Sequence, residues 1–230
     1  MDYVSSACVP HHPPGYQPNI SNHLIDYCCK AQIKDSLTRL VESALILIAD
    51  LNVWFGDPEC SLDPLDIQNY SCVLECRLLN WLRDNEGQTT PIELALSVAL
   101  LIFTVRVTEA LQQRSDIHTL HFVASKRLEK ALNTTSRYEW TYCPELLLWI
   151  LAIGAISAEG SSDYSWFVYQ VSLACEEFGI FSAEALLGRL HLCGWVSFKL
   201  DEAVHGLWNK ILTLRLEDRK FRPIKSFAYT

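Results

Sequence analysis

Cys143-Pro144-Glu145-Leu146-Leu147-Leu148-Trp149-Ile150-Leu151, then Ser165-Trp166-Phe167-Val168, then Gly179, Ser182, Trp195, Leu207 and Trp208: this stretch decides the fold. Pro144 suits the first position of a helix, since its ring presets φ and its missing N–H would be unpaired there anyway. The helix that follows is apolar through residues 146–158, and Gly160 closes it. Ser162 and Asp163 start the next helix, in which Phe167, Val171, Ala174, Cys175 and Phe178 form one stripe and Gly179 is the cap. Ser182 and Glu184 begin a shorter helix through Leu186, Leu187 and Leu190. A last helix covers 200–216, with Val204, Leu207, Trp208 and Ile211 inward. The tryptophans fall where these helices must meet, which predicts one interlocked set.

Upstream the helical period continues. Residues 33–54 carry Ile33, Leu37, Leu40, Val41, Ala44, Leu45 and Ile48 on one stripe, and Gly56-Asp57-Pro58 ends it. Residues 57–67, with their carboxylates and prolines, read as a surface loop. A helix over 71–84 would turn Cys72, Cys76, Leu79 and Leu82 to one face. Thr90, Pro91 and Glu93 form a capping box with proline at the first helical position. The helix they start, to about residue 113, is apolar nearly all round, so neighbours must cover it on several sides. Residues 116–132 read as an amphipathic helix, with Ile117, Leu120, Ala124, Leu128 and Ala131 inward and Lys126, Arg127, Glu129 and Lys130 outward. No strand alternation and no internal repeat appears. The expectation is a single all-α domain of about seven to eight helices around a central apolar helix. It spans residues 31–216, between a flexible N-terminal arm (1–30) and a basic tail (217–230).

Half of the 230 residues are hydrophobic and 20% are charged, a composition able to fill a core. The formal net charge of −8 repels phosphate backbones, so direct nucleic-acid binding by this chain is not expected. Nine cysteines follow no disulfide framework, and residues 1–15 hold no apolar signal core, which points to a reducing compartment. The apolar runs 94–105 and 146–158 are shorter than the ~18 residues a membrane span needs. No membrane contact is expected of them.

Cys28 and Cys29 are adjacent, and Cys72 and Cys76 lie one turn apart, so neither pair has the Cys-x-x-Cys spacing of a structural zinc site. Core packing is the expected role of Cys72, Cys76, Cys175 and Cys193. His118-x-x-His121 has helical spacing, but Thr119 stands where a metalloprotease motif needs glutamate. Both histidines are expected at the edge of the core. Glu202-Ala203-Val204-His205 matches one Glu-x-x-His ligand pair of a di-iron bundle, without the second copy such a site requires. Glu176 and Glu177, adjacent on a helix, point different ways. There is no Gly-x-Ser-x-Gly elbow, Gly-x-Gly-x-x-Gly turn or Walker loop. The sequence therefore nominates no catalytic, cofactor-binding or metal residue, and no cofactor.

The order of features from Pro144 to Trp149, Gly154 to Gly160, Trp166 to Val168, Gly179, Ser182 and Trp195 resembles the C-terminal half of the fungal-specific transcription factor domain. That domain is the helical regulatory region found downstream of zinc binuclear clusters. The helices at Glu93 to Arg106 and Leu120 to Leu132 resemble it as well, so the likeness covers about residues 71–212. The family's DNA-binding element needs a basic six-cysteine cluster, whereas residues 1–60 have only Cys8, Cys28, Cys29 and Cys60 and few basic residues. The resemblance therefore implies a regulatory module without its own zinc cluster, either free-standing or separated from an upstream exon. It implies a nuclear protein, with the cytoplasm as second choice. The partners would be other transcription regulators or a second copy of itself, and a small-molecule effector fits the same role. The alternative is a helical ligand-binding protein or enzyme of fungal secondary metabolism, with an aromatic pocket near Trp149, Trp166 and Trp195.

Overall fold

The computed structural model describes residues 12–20, 23–109 and 119–221, the side chains of 119, 120 and 218–221 excepted. Among these residues the chain is all-α, with no strand. Its helices are α1 (His23–Lys30), α2 (Asp35–Gly56), α3 (Pro64–Asp84), α4 (Pro91–Thr108), α5 (Thr119–Asn133), α6 (Pro144–Ala158), α7 (Tyr164–Glu177), α8 (Ala183–Leu192) and α9 (Ser197–Phe221). A short 3-10 helix, Arg137–Trp140, leads into α6.

α4 is the centre. Thr90 Oγ1 accepts from the Glu93 N–H at 3.2 Å, and the Glu93 carboxylate accepts from the Thr90 N–H at 2.9 Å, closing the capping box. α4 then packs against α2, α3, α5 and α6, which bury nearly every one of its side chains. α6 is the second hub, meeting α4, α5, α7, α8 and α9. Together they form one continuous apolar cluster.

Four expectations need correction. α4 is an 18-residue helix, long and apolar enough by itself to cross a membrane, because Ile92 at one end and Val107 at the other carry the apolar run past Glu93 and Arg106; 78% of it is buried inside the fold. α3 begins at Pro64, not 71, because Asp63 caps it by accepting from the Leu65 N–H at 2.8 Å and Pro64 takes the first turn. Its buried face is Ile67, Tyr70, Leu74, Leu78, Trp81 and Leu82, leaving Cys72, Cys76 and Leu79 exposed. The aromatic side chains, larger than cysteine, decide which way the helix turns.

The arm is the fourth. Residues 23–30, expected to be flexible, form α1, with Leu24, Tyr27 and Cys28 buried. Residues 12–20 lie against α2, where Asp50 is 1% exposed. Its carboxylate accepts from Tyr16 Oη at 2.9 Å and meets His12 Nε2 at 2.9 Å. A buried carboxylate needs such partners, and the arm supplies them. Burial, reinforced by Asp50, pushes the Tyr16 phenol up. At the other end the last helix runs past 216 to Phe221, and residues 222–230 of the expected tail lie outside the described residues.

The turn between α8 and α9 ties α6 to α2. Gly194 has φ +90°, and a Cβ there would come 2.9 Å from Leu45 Cδ2 and 3.0 Å from Ile48 Cδ1 of α2. Its carbonyl accepts from Trp149 Nε1 at 3.0 Å. Only glycine combines that backbone with that approach.

Candidate functional site

Two tryptophans proposed to line a pocket are structural. Trp149 is wholly buried, tilted against Phe103 at 5.4 Å between ring centres, with its N–H spent on Gly194. Trp195 is 3% exposed, donates from Nε1 to Asp201 Oδ1 at 2.8 Å and accepts at its carbonyl from Asn52 Nδ2 at 2.7 Å. Neither lines the groove in which Trp166 stands.

Trp166 instead stands on the wall of an open groove of about 530 Å³, where the end of α5, the 3-10 helix, α6 and α7 converge. Leu147 and Leu151 of α6, Ala174 and Phe178 of α7 and Leu132 of α5 give it an apolar side. Trp140, at the end of the 3-10 helix, completes the wall and donates from Nε1 to Thr135 Oγ1 at 3.0 Å. Asn133, Thr141 and Gln170 add hydrogen-bonding groups. Arg137 and Glu177 face each other across the rim at 3.9 Å and are 73% and 58% exposed. That pair is loose and solvated, so an incoming carboxylate or amide could take Arg137 at little cost. Glu176, the neighbour of Glu177, turns to Arg215 at 3.5 Å instead, so the two acids do point different ways.

The position of Trp166 depends on α6 and α7 meeting closely. Phe167, wholly buried and edge-on to Trp166 at 4.9 Å, fills the space left by the missing side chain of Gly154.

A second polar constellation lies inside the fold. His121 Nδ1 is 3.0 Å from Ser157 Oγ, and its Nε2 is 2.8 Å from Glu109 Oε1. The order serine, histidine, carboxylate resembles a nucleophile relay. Yet Ser157 is 4% and His121 1% exposed, so the hydroxyl has no approach for a substrate and the relay joins α5, α6 and the end of α4. His121 therefore sits deeper than the core edge expected for it, while His118 lies outside the described residues. Glu75 borders this region; burial pushes its carboxyl up, Glu109 adds to the rise, and Ser71 and Thr108 oppose it through hydrogen bonds.

Glu202 and His205 are exposed on α9. Among the described residues, no three His, Cys, Asp or Glu side chains gather as a metal site. Cys28, Cys143 and Cys193 are buried, and burial pushes the first two up to about 12 and about 11, so they stay protonated in the core.

Sequence reasoning did not find the groove. Its walls come from four separate elements, and Trp140 and Arg137 lie in a segment with no helical periodicity. The one available signal is Trp166 itself, half-buried and one position off the buried stripe of Phe167, Val171, Ala174 and Cys175. No family model, curated protein or solved structure matches this chain.

Proposed function

We propose that this chain is a helical regulatory module of the fungal transcription-factor type, acting by binding and not by catalysis, with the Trp166 groove as the seat of its effector. The observation that carries the reading is the contrast between core and groove. Trp149 and Trp195 are packed and hydrogen-bonded, while about 530 Å³ of concave, partly apolar surface stays open beside Trp166 and the loose Arg137–Glu177 pair. Small-molecule sites run roughly 300–1,000 Å³ and combine apolar walls with a few polar groups, which is the make-up of this groove. Support for the regulatory class comes from the order of helix caps and aromatics from Pro144 to Trp195. The aromatic pocket of the alternative reading shrinks to Trp166 alone among the three tryptophans named for it.

The test is made in cells. Deleting the gene and blocking the groove with Leu147→Arg should change transcript levels of an overlapping set of genes, and a tagged chain should collect in the nucleus. A transcriptome unchanged by either lesion, with the tagged chain confined to the cytoplasm, would overturn the proposal.

A further inference from the structure

A second concavity, of about 580 Å³, lies between α5 and the turn joining α6 to α7, and shares no residue with the Trp166 groove. Lys126, Arg127 and Lys130 of α5 line it together with Phe122 and Val123, facing Ser161, Ser162 and Asp163. Val123, Lys126, Arg127 and Lys130 follow the i, i+3, i+4, i+7 spacing, so they stand on one helix face. All three cations are exposed, and none forms an ion pair with a described residue. Of the other described cations, Lys34, Arg83, Arg106, Arg137, Arg189 and Arg215 are paired with carboxylates, and the rest stand apart from one another along the chain. In a chain with 27 acidic against 19 basic residues, three unpaired cations on one concave face form a local inversion of the overall charge.

The face is also apolar where it could have been polar. Val123 is 65% exposed at the head of the basic stripe, and Phe122 is half-buried beside it. The single carboxylate present, Asp163, accepts from Ser162 Oγ at 2.9 Å and takes its own N–H to Ser161 Oγ at 3.2 Å, so it is turned into the α6–α7 turn. A free phosphate would use the cations and leave Val123 and Phe122 in water. A segment bearing both carboxylates and apolar side chains would use all of them, the charges steering encounter and the apolar contacts holding the complex.

We propose that this concavity docks an acidic, amphipathic segment of a partner protein, its carboxylates on Lys126, Arg127 and Lys130 and an apolar side chain on Val123 and Phe122. The probe is a short labelled peptide in which Glu and Asp alternate with Leu and Phe, titrated against the full chain at physiological salt by fluorescence anisotropy. Lys126→Glu with Lys130→Glu should weaken binding roughly tenfold or more, and raising salt should weaken the wild-type complex. Val123→Ser should weaken it about threefold or more, and polyglutamate of equal charge should bind worse than the probe to the same degree. These positions are exposed, so the variants should melt like the wild type. Should one unfold, amide shifts in the wild-type chain decide the matter: the probe must move residues 122–130 and 161–163. The proposal is overturned if the folded variants bind as well as the wild type, or if the shifts fall elsewhere. Equal binding of polyglutamate, tripolyphosphate, duplex DNA or phosphatidylserine vesicles would also overturn it, since each reports charge without the apolar contact.

Discussion

Gly154→Ala is the sharpest perturbation available, because two physical effects of opposite sign meet at one methyl group. In an unobstructed helix interior the substitution stabilises by about 1 kcal/mol, as alanine loses less backbone freedom than glycine. At Gly154 the new Cβ would lie 2.7 Å from Phe167 Cδ1 and 2.8 Å from Cζ, with Cε1 closer still. The ring is wholly buried and hemmed in by α6 and α7, so relieving the overlap means shifting a packed aromatic. Overpacking of this kind costs about 2–3 kcal/mol. The net expectation is a loss of about 1–2 kcal/mol, or roughly 2–8 °C in Tm for a chain of this length. Thermal and urea unfolding followed by circular dichroism would measure it. Gly206→Ala in α9 supplies the control, since nothing lies within 4 Å of a Cβ there, and it should stabilise. Phe167→Leu should remove most of the penalty of Gly154→Ala in a double-mutant cycle. If Gly154→Ala stabilises as Gly206→Ala does, the close α6–α7 contact that positions Trp166 is wrong.

The capping box should be stability-critical: Thr90→Ala should cost about 1 kcal/mol. Glu93→Ala should cost about 2–3 kcal/mol in urea unfolding, because the buried carboxylate also accepts from the Lys34 N–H at 2.9 Å, whereas Glu93→Gln should cost less. In native protein a thiol reagent should label the exposed Cys29, Cys72 and Cys76 rapidly and Cys28, Cys143, Cys175 and Cys193 only on unfolding, read by mass spectrometry of the digested chain. Glu75 has a raised carboxyl, so the folded state holds its proton more tightly than the unfolded state does. That contribution is present below the ordinary value of 4.5 and is lost as pH rises through the folded-state value. Glu75→Gln should therefore gain stability relative to wild type between pH 4 and pH 7; a pH-independent difference would remove the raised Glu75 carboxyl from the account.

Most of the helical frame was legible because its signals are local. Thr90-Pro91-x-Glu93, Pro144, Gly160, Gly179 and Ser182 each act within one turn, and the structure places a helix end at every one of them. The Asp63-Pro64 start carried the same kind of signal and was masked by the neighbouring carboxylates, which made the segment look like loop. The face of α3 is set by Tyr70 and Trp81, whose rings bury far more area than the cysteines Cys72 and Cys76 on the opposite stripe. The arm was misread because what orders it, Asp50, is 34 residues from Tyr16 and looks like any helical aspartate in sequence. The groove and the Ser157–His121–Glu109 relay are tertiary in the same sense. Their members lie on different helices, and only the packing of α5, α6 and α7 brings them together.

The central proposal, that Trp149 and Trp195 belong to the packed core and that the Trp166 groove seats an effector, can be tested through the indole N–H signals. A metabolite panel would be titrated into isotope-labelled protein with the tryptophan and arginine side-chain resonances assigned. The account predicts that a bound compound shifts Trp166, Trp140 and Arg137 and leaves Trp149 and Trp195 in place. Shifts centred on Trp149 and Trp195, or a panel that binds without moving Trp166, would contradict it.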